Sequence, residues 1–501
     1  METTQNGKLT FGIEIEIHIP VLQAPEHDSV QERLGFPSDD WYKRNCLFYS
    51  SKDGRKIPVV RDDVKVSSEA RRFVWDQLLV LFKETIERPA SGCSAQDIEV
   101  VTAETEHPRA TFEPLEATSS TLNMENNVLG NFIDGHFEVY EKWTVCKDES
   151  GCWYRGSDGS LFQEAKLPPV GPQRYSWFSI EIKSKVYEEL SALEDGLKKV
   201  CERIRSRFLV SVNCGRKHNM SSVHVHVGRT GYWNPNYEPF NLVSAKKAAT
   251  IMYLLEPALM EMHASWKSKN YRYAALLRGY THLGELCTPS IDVNSPDLPI
   301  DAEMNPEDTA YEPNDFDLSR AQLGNMQLCL GMGMPPGRHK SSTELIWGAN
   351  GLTQLAWLLS CREGSRRGAL ALHGLITTRK DVIKSRRLNT IEFRHMQGSL
   401  DVIDIMNWVR IVGKIMDKSV MYSDKAYEIM FAKLISLDRP CISEVANVLG
   451  LSLAVKPKEQ IEQEYSLPEV PEEGDERGWK RMASLMFLPK ASGPGAYLRL
   501  L

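Results

Sequence analysis

Hydrophobic and polar positions alternate strictly in KLTFGIEIEIHI (8–19), the pattern of a half-buried strand with Ile13, Ile15, Ile17 and Ile19 on one face. YSWFSIEIKSKV (175–186), SSVHVHVG (221–228) and NTIEFRHM (389–396) repeat the pattern, and DIEVVTAET (97–105) and FEVYEKWTVCKD (137–148) add two more strands. FLVSVNC (208–214) pairs with 221–228 as a hairpin through GRKHNM. Three- and four-residue apolar spacing predicts helices over 67–88, 191–208, about 241–266, near 342–375, and from Asp401 to about 421. Asp401 itself reads as a helix N-cap rather than a catalytic acid.

Strands that alternate, instead of running continuously apolar, indicate an antiparallel sheet with one face on helices and one polar face open. The expected class is α+β, a curved, mainly antiparallel sheet packed on helices, and a doubly wound parallel fold is excluded. The segment 288–317 holds nine acidic residues and five prolines without Lys or Arg, which reads as a mobile loop or lid. The stretch 456–480 is rich in Pro and Glu and reads as a loosely ordered tail.

Composition narrows the function. The 501 residues carry 60 Lys+Arg against 67 Asp+Glu, a net charge of −7, which lacks the basic footprint of a nucleic-acid binder. No stretch approaches the roughly 20 apolar residues of a membrane helix, and METTQNGKLTFG lacks the features of a signal peptide. Ten scattered cysteines without a Cys-x-x-Cys pair suggest reduced, separately buried thiols. The expectation is a cytoplasmic protein that uses neither nucleic acid nor a membrane.

The polar faces hold the chemistry. Period 2 puts Glu14, Glu16 and His18 opposite the isoleucines, and Ser179, Glu181 and Lys183 opposite Phe178, Ile180 and Ile182. It likewise puts His224 and His226 opposite three valines, and Glu392 and Arg394 opposite Ile391 and Phe393. A solvated outer face accounts for any one of these strands, but such faces are mostly Thr, Ser, Lys and Arg in mixture. Carboxylates at i and i+2 lie about 6–7 Å apart and repel by about 2–2.5 kcal/mol at an effective dielectric near 20. Four converging Glu therefore call for cations between them or for raised pKa values. Oxygen-rich clusters suit Mg²⁺ or Mn²⁺ with substrate phosphates, and Arg394 supplies a fixed cation for phosphoryl oxygens. Metal-nucleotide phosphoryl transfer is the implied chemistry. GMGMPPGRHKSS (331–342) lacks Walker A spacing, because Lys340 does not follow the glycine directly.

FGIEIEI (11–17), WTVCKDES (143–150), WFSIEIKSKV (177–186), SSVHVHVG (221–228) and TIEFRHMQGSLD (390–401) together resemble the signature strands of the amidoligase family. That family belongs to the carboxylate–amine ligases with the glutamine synthetase and glutamate–cysteine ligase fold, and the likeness runs from about 8 to 421. It implies ATP and Mg²⁺ (or Mn²⁺) as cofactors, with Glu14, Glu16, Glu181, His224 and Glu392 as metal ligands. It further implies His226 near the nucleotide, Arg394 on the transferred phosphoryl, and Asp148 in the Asp-x-Ser position, where metal, amine and neither of the two are all open. The basic run 377–387, with Lys384, Arg386 and Arg387, is a candidate contact for nucleotide phosphates. Lys183 departs from the pattern, standing where a small or apolar residue is usual, and no proline follows. By this likeness residues 1–425 form one catalytic domain, with insertions at about 20–65, 106–135 and 288–340. Residues 426–501 form a helical extension and acidic tail.

The leading expectation is an amide-forming ligase that joins a carboxylate to an amine through an acyl phosphate, releasing ADP and phosphate. Its substrates would be small molecules, or a peptide or protein side chain. A kinase on the same type of sheet and a non-catalytic nucleotide-binding scaffold are the alternatives.

Overall fold

The computed structural model describes residues 8–24, 47–50, 56–61, 68–88, 98–103, 142–148, 174–208, 210, 221–230, 240–265, 276–287, 340–361, 368–372, 375, 390–437 and 440–465. The fold is α+β, and its strands make a mostly antiparallel mixed sheet. The strands are β1 (Leu9–Ala24), β2 (Leu47–Ser50), β3 (Lys56–Arg61), β4 (Val100–Ala103), β5 (Trp143–Lys147), β6 (Arg174–Lys183), β7 (Ser222–Arg229), β8 (Leu370–Ala371) and β9 (Ile391–Gln397). The chain divides into two compact units.

The first unit comprises Gly12–Ser222, Gly398–Val402 and Leu467–Leu501. Its hydrogen-bonded order is β4-β5-β6-β1, with β3 pairing β1 and β2. β1 runs antiparallel to β6, with Glu14 opposite Lys183, Glu16 opposite Glu181 and His18 opposite Ser179. β6 runs antiparallel to β5, with Lys183 opposite Thr144 and Glu181 opposite Cys146. Two pairings are parallel, β4 with β5 and β1 with β3. The four isoleucines of β1 are fully buried, as their period predicts.

Two helices supply more of this core, α1 (Ser68–Glu87) and α2 (Leu190–Arg207). Leu193, Leu197, Val200 and Ile204 recur at four and three residues, so they make one stripe of α2 and are all buried. Each such side chain contributes about 1.5–3 kcal/mol by leaving water. Phe82 of α1 stacks on Phe208 with ring centroids 4.5 Å apart. Arg203 donates to the Ile86 carbonyl and so ties α2 to the last turn of α1. Tyr187 accepts from the Trp143 indole at 3.1 Å, and a Cβ on Gly196 of α2 would meet the Tyr187 hydroxyl and displace it.

The second unit comprises Met1–Phe11, Val223–Gln397 and Ile403–Ser466. Its strands follow the order β7-β9-β8, and β8 is antiparallel to β9 with Ala371 opposite Glu392. The Lys8 carbonyl accepts from Thr230 N at 2.8 Å just beyond the end of β7. The central helix α3 (Leu242–Leu259) is capped by the Asn241 side chain and buried on almost every side. Around it come α4 (His282–Cys287), α5 (Lys340–Gly348), α6 (Leu352–Leu359), α7 (Val402–Met421), α8 (Asp424–Ser436), α9 (Ile442–Leu449) and α10 (Lys458–Tyr465). Lys246 of α3 donates to the Trp347 carbonyl at 2.7 Å, and the Trp347 indole donates to Thr250 at 3.0 Å. Tyr427 of α8 donates to the Lys247 carbonyl.

Several expectations need correction. The helical pattern near 342–375 is two helices, and β8 follows. The backbone at Gly351 is extended, which separates α5 from α6. The helix predicted to 266 ends at Leu259 and tightens into a single 3₁₀ turn, Met260–Met262, after Pro257. The polar faces are largely withdrawn from water, with Glu16, Glu181, His224 and Arg394 buried and Glu14, Lys183, His226 and Glu392 partly exposed. Asp401 stands directly before α7, and its N–H donates to Ser399 Oγ at 2.9 Å. Among the described residues, no helix is long and apolar enough to cross a membrane. Of the loosely ordered tail expected over 456–480, Lys458–Tyr465 is helical, and the part beyond 465 lies outside the described residues, as do the segment 288–317 and the GRKHNM loop.

Candidate functional site

In the first unit the strand registers bring Glu14, Glu181 and Lys183 onto one face of β1 and β6. Lys183 Nζ lies 3.2 Å from Glu14 Oε1 and 3.4 Å from Glu181 Oε2. Burial alone would lower the Lys183 pKa, but the two carboxylates outweigh it and hold the ammonium well above the ordinary lysine range. Cys146, opposite Glu181 on β5, puts its thiol 3.5 Å from Glu181 Oε2. Burial first, then the charge of Glu181, push that thiol well above its usual range, so it is not a ready nucleophile.

Glu16 sits on the same strand face as Glu14, and its Oε2 accepts from the backbone N–H of Ser222 at 2.8 Å. Asp148, just past β5, is buried and accepts from the Ser179 hydroxyl at 2.6 Å. Its backbone N–H donates to the Ser179 carbonyl, which carries the β5–β6 ladder one residue further.

The second unit brings His224, His226, Glu392 and Arg394 together. Arg394 Nη1 donates to Glu392 Oε1 in a charge-assisted bond. His224 Nδ1 lies 3.3 Å from Arg394 Nη1 and 3.4 Å from Glu392 Oε1. His226 Nε2 stands 4.0 Å from the same Glu392 oxygen, while its Nδ1 meets Thr390 Oγ1 at 3.2 Å. The other face of β9 is anchored behind the site by the His395–Glu256 pair. Glu256 also accepts from the backbone N–H groups of Leu277 and Arg278, at 2.7 and 2.9 Å.

Exposure decides what kind of surface this is. Glu16, Glu181, His224 and Arg394 are 8%, 3%, 2% and 6% exposed. Ionisable groups of an ordinary outer sheet face would be in water, and burial of charges is costly unless they are paired or coordinated. Carboxylate oxygens suit a hard divalent ion, and the first unit offers them from Glu14, Glu16 and Glu181, the second from Glu392 beside two imidazoles. One position differs, because an ammonium already stands between Glu14 and Glu181.

Sequence reasoning missed the roles of Cys146, Ser179 and Glu256. Cys146 and Ser179 each face a predicted acid across a strand pair, which no single-strand pattern reveals. Glu256 did leave a trace, as a lone acid inside the apolar run IMYLLEPAL. Lys384, Arg386 and Arg387 lie outside the described residues.

No protein-family model matches the chain, and no curated protein matches it either, so the amidoligase likeness rests on its five motifs. Among solved structures, a bifunctional glutathione synthetase from Pasteurella multocida is similar at 8% identity and a TM-score of 0.26. The match covers 61% of this chain and 46% of that one. A likeness this weak carries no argument about fold or activity.

Proposed function

We propose that this protein is an ATP- and Mg²⁺-dependent carboxylate–amine ligase of the amidoligase type, with a glutamine synthetase-like sheet. The observation that carries this reading is the burial of the charged side chains on the strands' polar faces. Buried, mutually perturbing ionisable groups mark sites that do chemistry more often than surfaces that merely face water. In this reading Glu14, Glu16, Glu181, His224 and Glu392 hold Mg²⁺ or Mn²⁺, His226 lies by the nucleotide, and Lys384, Arg386 and Arg387 contact its phosphates. The bound ion supplies positive charge to phosphate oxygens.

The chain's own groups do the rest. Arg394 faces the transferred phosphoryl, where a planar, permanently charged guanidinium can make two parallel contacts. The pairing with Glu392 and His224 sets the orientation of that guanidinium before substrate arrives. An oxygen of the substrate carboxylate attacks the γ-phosphorus, and the bond to ADP breaks. The amine nitrogen then attacks the acyl carbon, the bond to phosphate breaks, and the amine gives up its proton to the departing phosphate. Asp148, held by Ser179, is the candidate to receive the amine. The substrates are a small-molecule carboxylate and amine, or such groups on a peptide or protein side chain. The reaction requires neither nucleic acid nor a membrane, and ATP supply suits the cytoplasm.

The test is interception by hydroxylamine. A panel of carboxylates is incubated with the protein, ATP, Mg²⁺ and hydroxylamine, and hydroxamate is read by its ferric colour. Hydroxamate, ADP and phosphate should form in equal amounts, only with Mg²⁺ or Mn²⁺, and with no acyl-enzyme by intact mass. AMP with pyrophosphate would overturn the mechanism in favour of adenylation. A stable phosphorylated product that resists hydroxylamine would make the protein a kinase. Absence of metal-dependent ATP binding by titration calorimetry would remove the enzymatic reading altogether.

A further inference from the structure

Lys183 is the one departure from the amidoligase pattern that falls inside the site, and its surroundings give it a definite task. Its backbone is held on two sides, opposite Glu14 on β1 and opposite Thr144 on β5, so the position of its Cα is set by the sheet. Its place two residues after Glu181 puts both side chains on one face. The ammonium lies 3.2 Å from Glu14 Oε1 and 3.4 Å from Glu181 Oε2, largely shielded from water. Two carboxylates that would repel each other are bridged by a cation belonging to the chain.

We propose that Lys183 is the resident cation of the Glu14–Glu181 pair and takes the position of one divalent ion. The site then holds one metal ion fewer than its carboxylates alone would gather. This rests on the ligase reading only in taking these carboxylates as part of the metal-binding face. The chemistry is a matter of shared lone pairs. An ammonium between the two carboxylates engages Glu14 Oε1 and Glu181 Oε2 through its N–H groups, and a metal ion bridging them would need those same oxygens. The two occupants also repel, since one carries a single and the other a double positive charge. A lysine in this position therefore excludes a metal from bridging Glu14 Oε1 and Glu181 Oε2, and leaves metal binding to the other oxygens of these two carboxylates and to the remaining ligands. Such an arrangement neutralises part of the cluster at any metal concentration, because the lysine cannot dissociate.

The experiment compares the full-length protein with Lys183→Met and Lys183→Arg, using MnCl₂ alone and reading free Mn²⁺ by electron paramagnetic resonance. Lys183→Met should bind one more Mn²⁺ per chain than the parent, or bind Mn²⁺ at least tenfold more tightly. Lys183→Arg keeps the charge and should match the parent. Equal number and affinity in Lys183→Met and parent would overturn the proposal, as would a gain in Lys183→Arg equal to that in Lys183→Met. Should Lys183→Met fail to fold without cations, its refolding yield with and without Mn²⁺ decides the question instead. Recovery only with Mn²⁺ supports the resident-cation role, and failure in both overturns it. A parent protein without metal-dependent ATP binding would sink the ligase reading. A Mn²⁺ gained by Lys183→Met would support the role of Lys183 even then. If no variant binds Mn²⁺, the proposal falls, and the ligase reading is then decided by metal-dependent ATP binding alone.

Discussion

Glu256 Oε1 lies 3.1 Å from His395 Nε2, joining the middle of the unit around α3 to the strand that carries Glu392 and Arg394. Both side chains are almost fully buried, and the same carboxylate terminates two backbone N–H groups of the turn at Leu277 and Arg278. Glu256→Ala takes the acceptor from three donors, those of Leu277 and His395 buried and that of Arg278 partly so, at about 1–3 kcal/mol for each buried one. The expected loss is about 3 kcal/mol or more in urea unfolding, whereas Glu256→Gln, which keeps one acceptor oxygen, should lose clearly less. A loss below about 1 kcal/mol for Glu256→Ala would show that the pair does not brace β9.

Arg394→Lys should retain ATP binding and lose most of kcat, about a hundredfold, since a point charge cannot reproduce a planar two-pronged contact. Steady-state kinetics with ATP varied decide it. A raised KM for ATP with kcat unchanged would make Arg394 a ground-state binder.

Glu14→Gln and Glu392→Gln should each abolish metal-dependent ATP turnover without unfolding the protein. Because Lys183 and Arg394 already neutralise these carboxylates, neither change relieves repulsion. Thermal melting without metal should therefore fall slightly in both variants. A rise in melting temperature would mean that the internal ion pairs do not form in solution, and retained turnover would remove these residues from the metal site.

Cys201 on α2 supplies a pH dependence. Burial pushes its thiol up to about 12, a rise opposed by the charge of Arg205 and assisted by Asp401. The unfolded thiol ionises near pH 8.5–9, so above that pH the unfolded chain releases a proton that the folded chain retains. Stability is thus unaffected by this group below about pH 8.5. Above it, stability falls by about 1.4 kcal/mol per pH unit until the folded thiol titrates too. Cys201→Ala should flatten that decline between pH 9 and 11, measured as denaturation midpoints at several pH values. An unchanged slope would show that the thiol is reachable by base in the folded protein.

Much of the sheet was legible because period 2 is unambiguous in IEIEIHI and IEFRHM, and the two faces of each strand follow from it. Solvent exposure did not follow. Glu16 and Glu181 are polar in pattern yet buried in fact, since whatever lies over a face is specified by distant segments. The parallel pairing of Val100 with Trp143 was equally hidden, because nothing in either strand encodes the direction of its neighbour. In 342–375 the apolar residues keep three- and four-residue spacing through Leu345, Ala349, Leu352, Leu355 and Leu359, so the break at Gly351 looks locally like an ordinary helical glycine. Glu256 stands out as an acid among apolar residues, but its partner lies 139 positions away. At the site, the residues are legible one by one. The bridging of Glu14 and Glu181 by Lys183 becomes visible only once β1 and β6 are put in register.

The burial of α3 on almost every side also bears on synthesis. The groups that engage it at Trp347, His395 and Tyr427 all come later in the chain, the last of them more than 160 residues after its final turn. A ribosome adding roughly 5–20 residues each second would leave this apolar segment without its native cover for on the order of ten seconds or more. The nascent chain over that interval exposes aggregation-prone apolar surface, and truncations before residue 427 should prolong that state indefinitely.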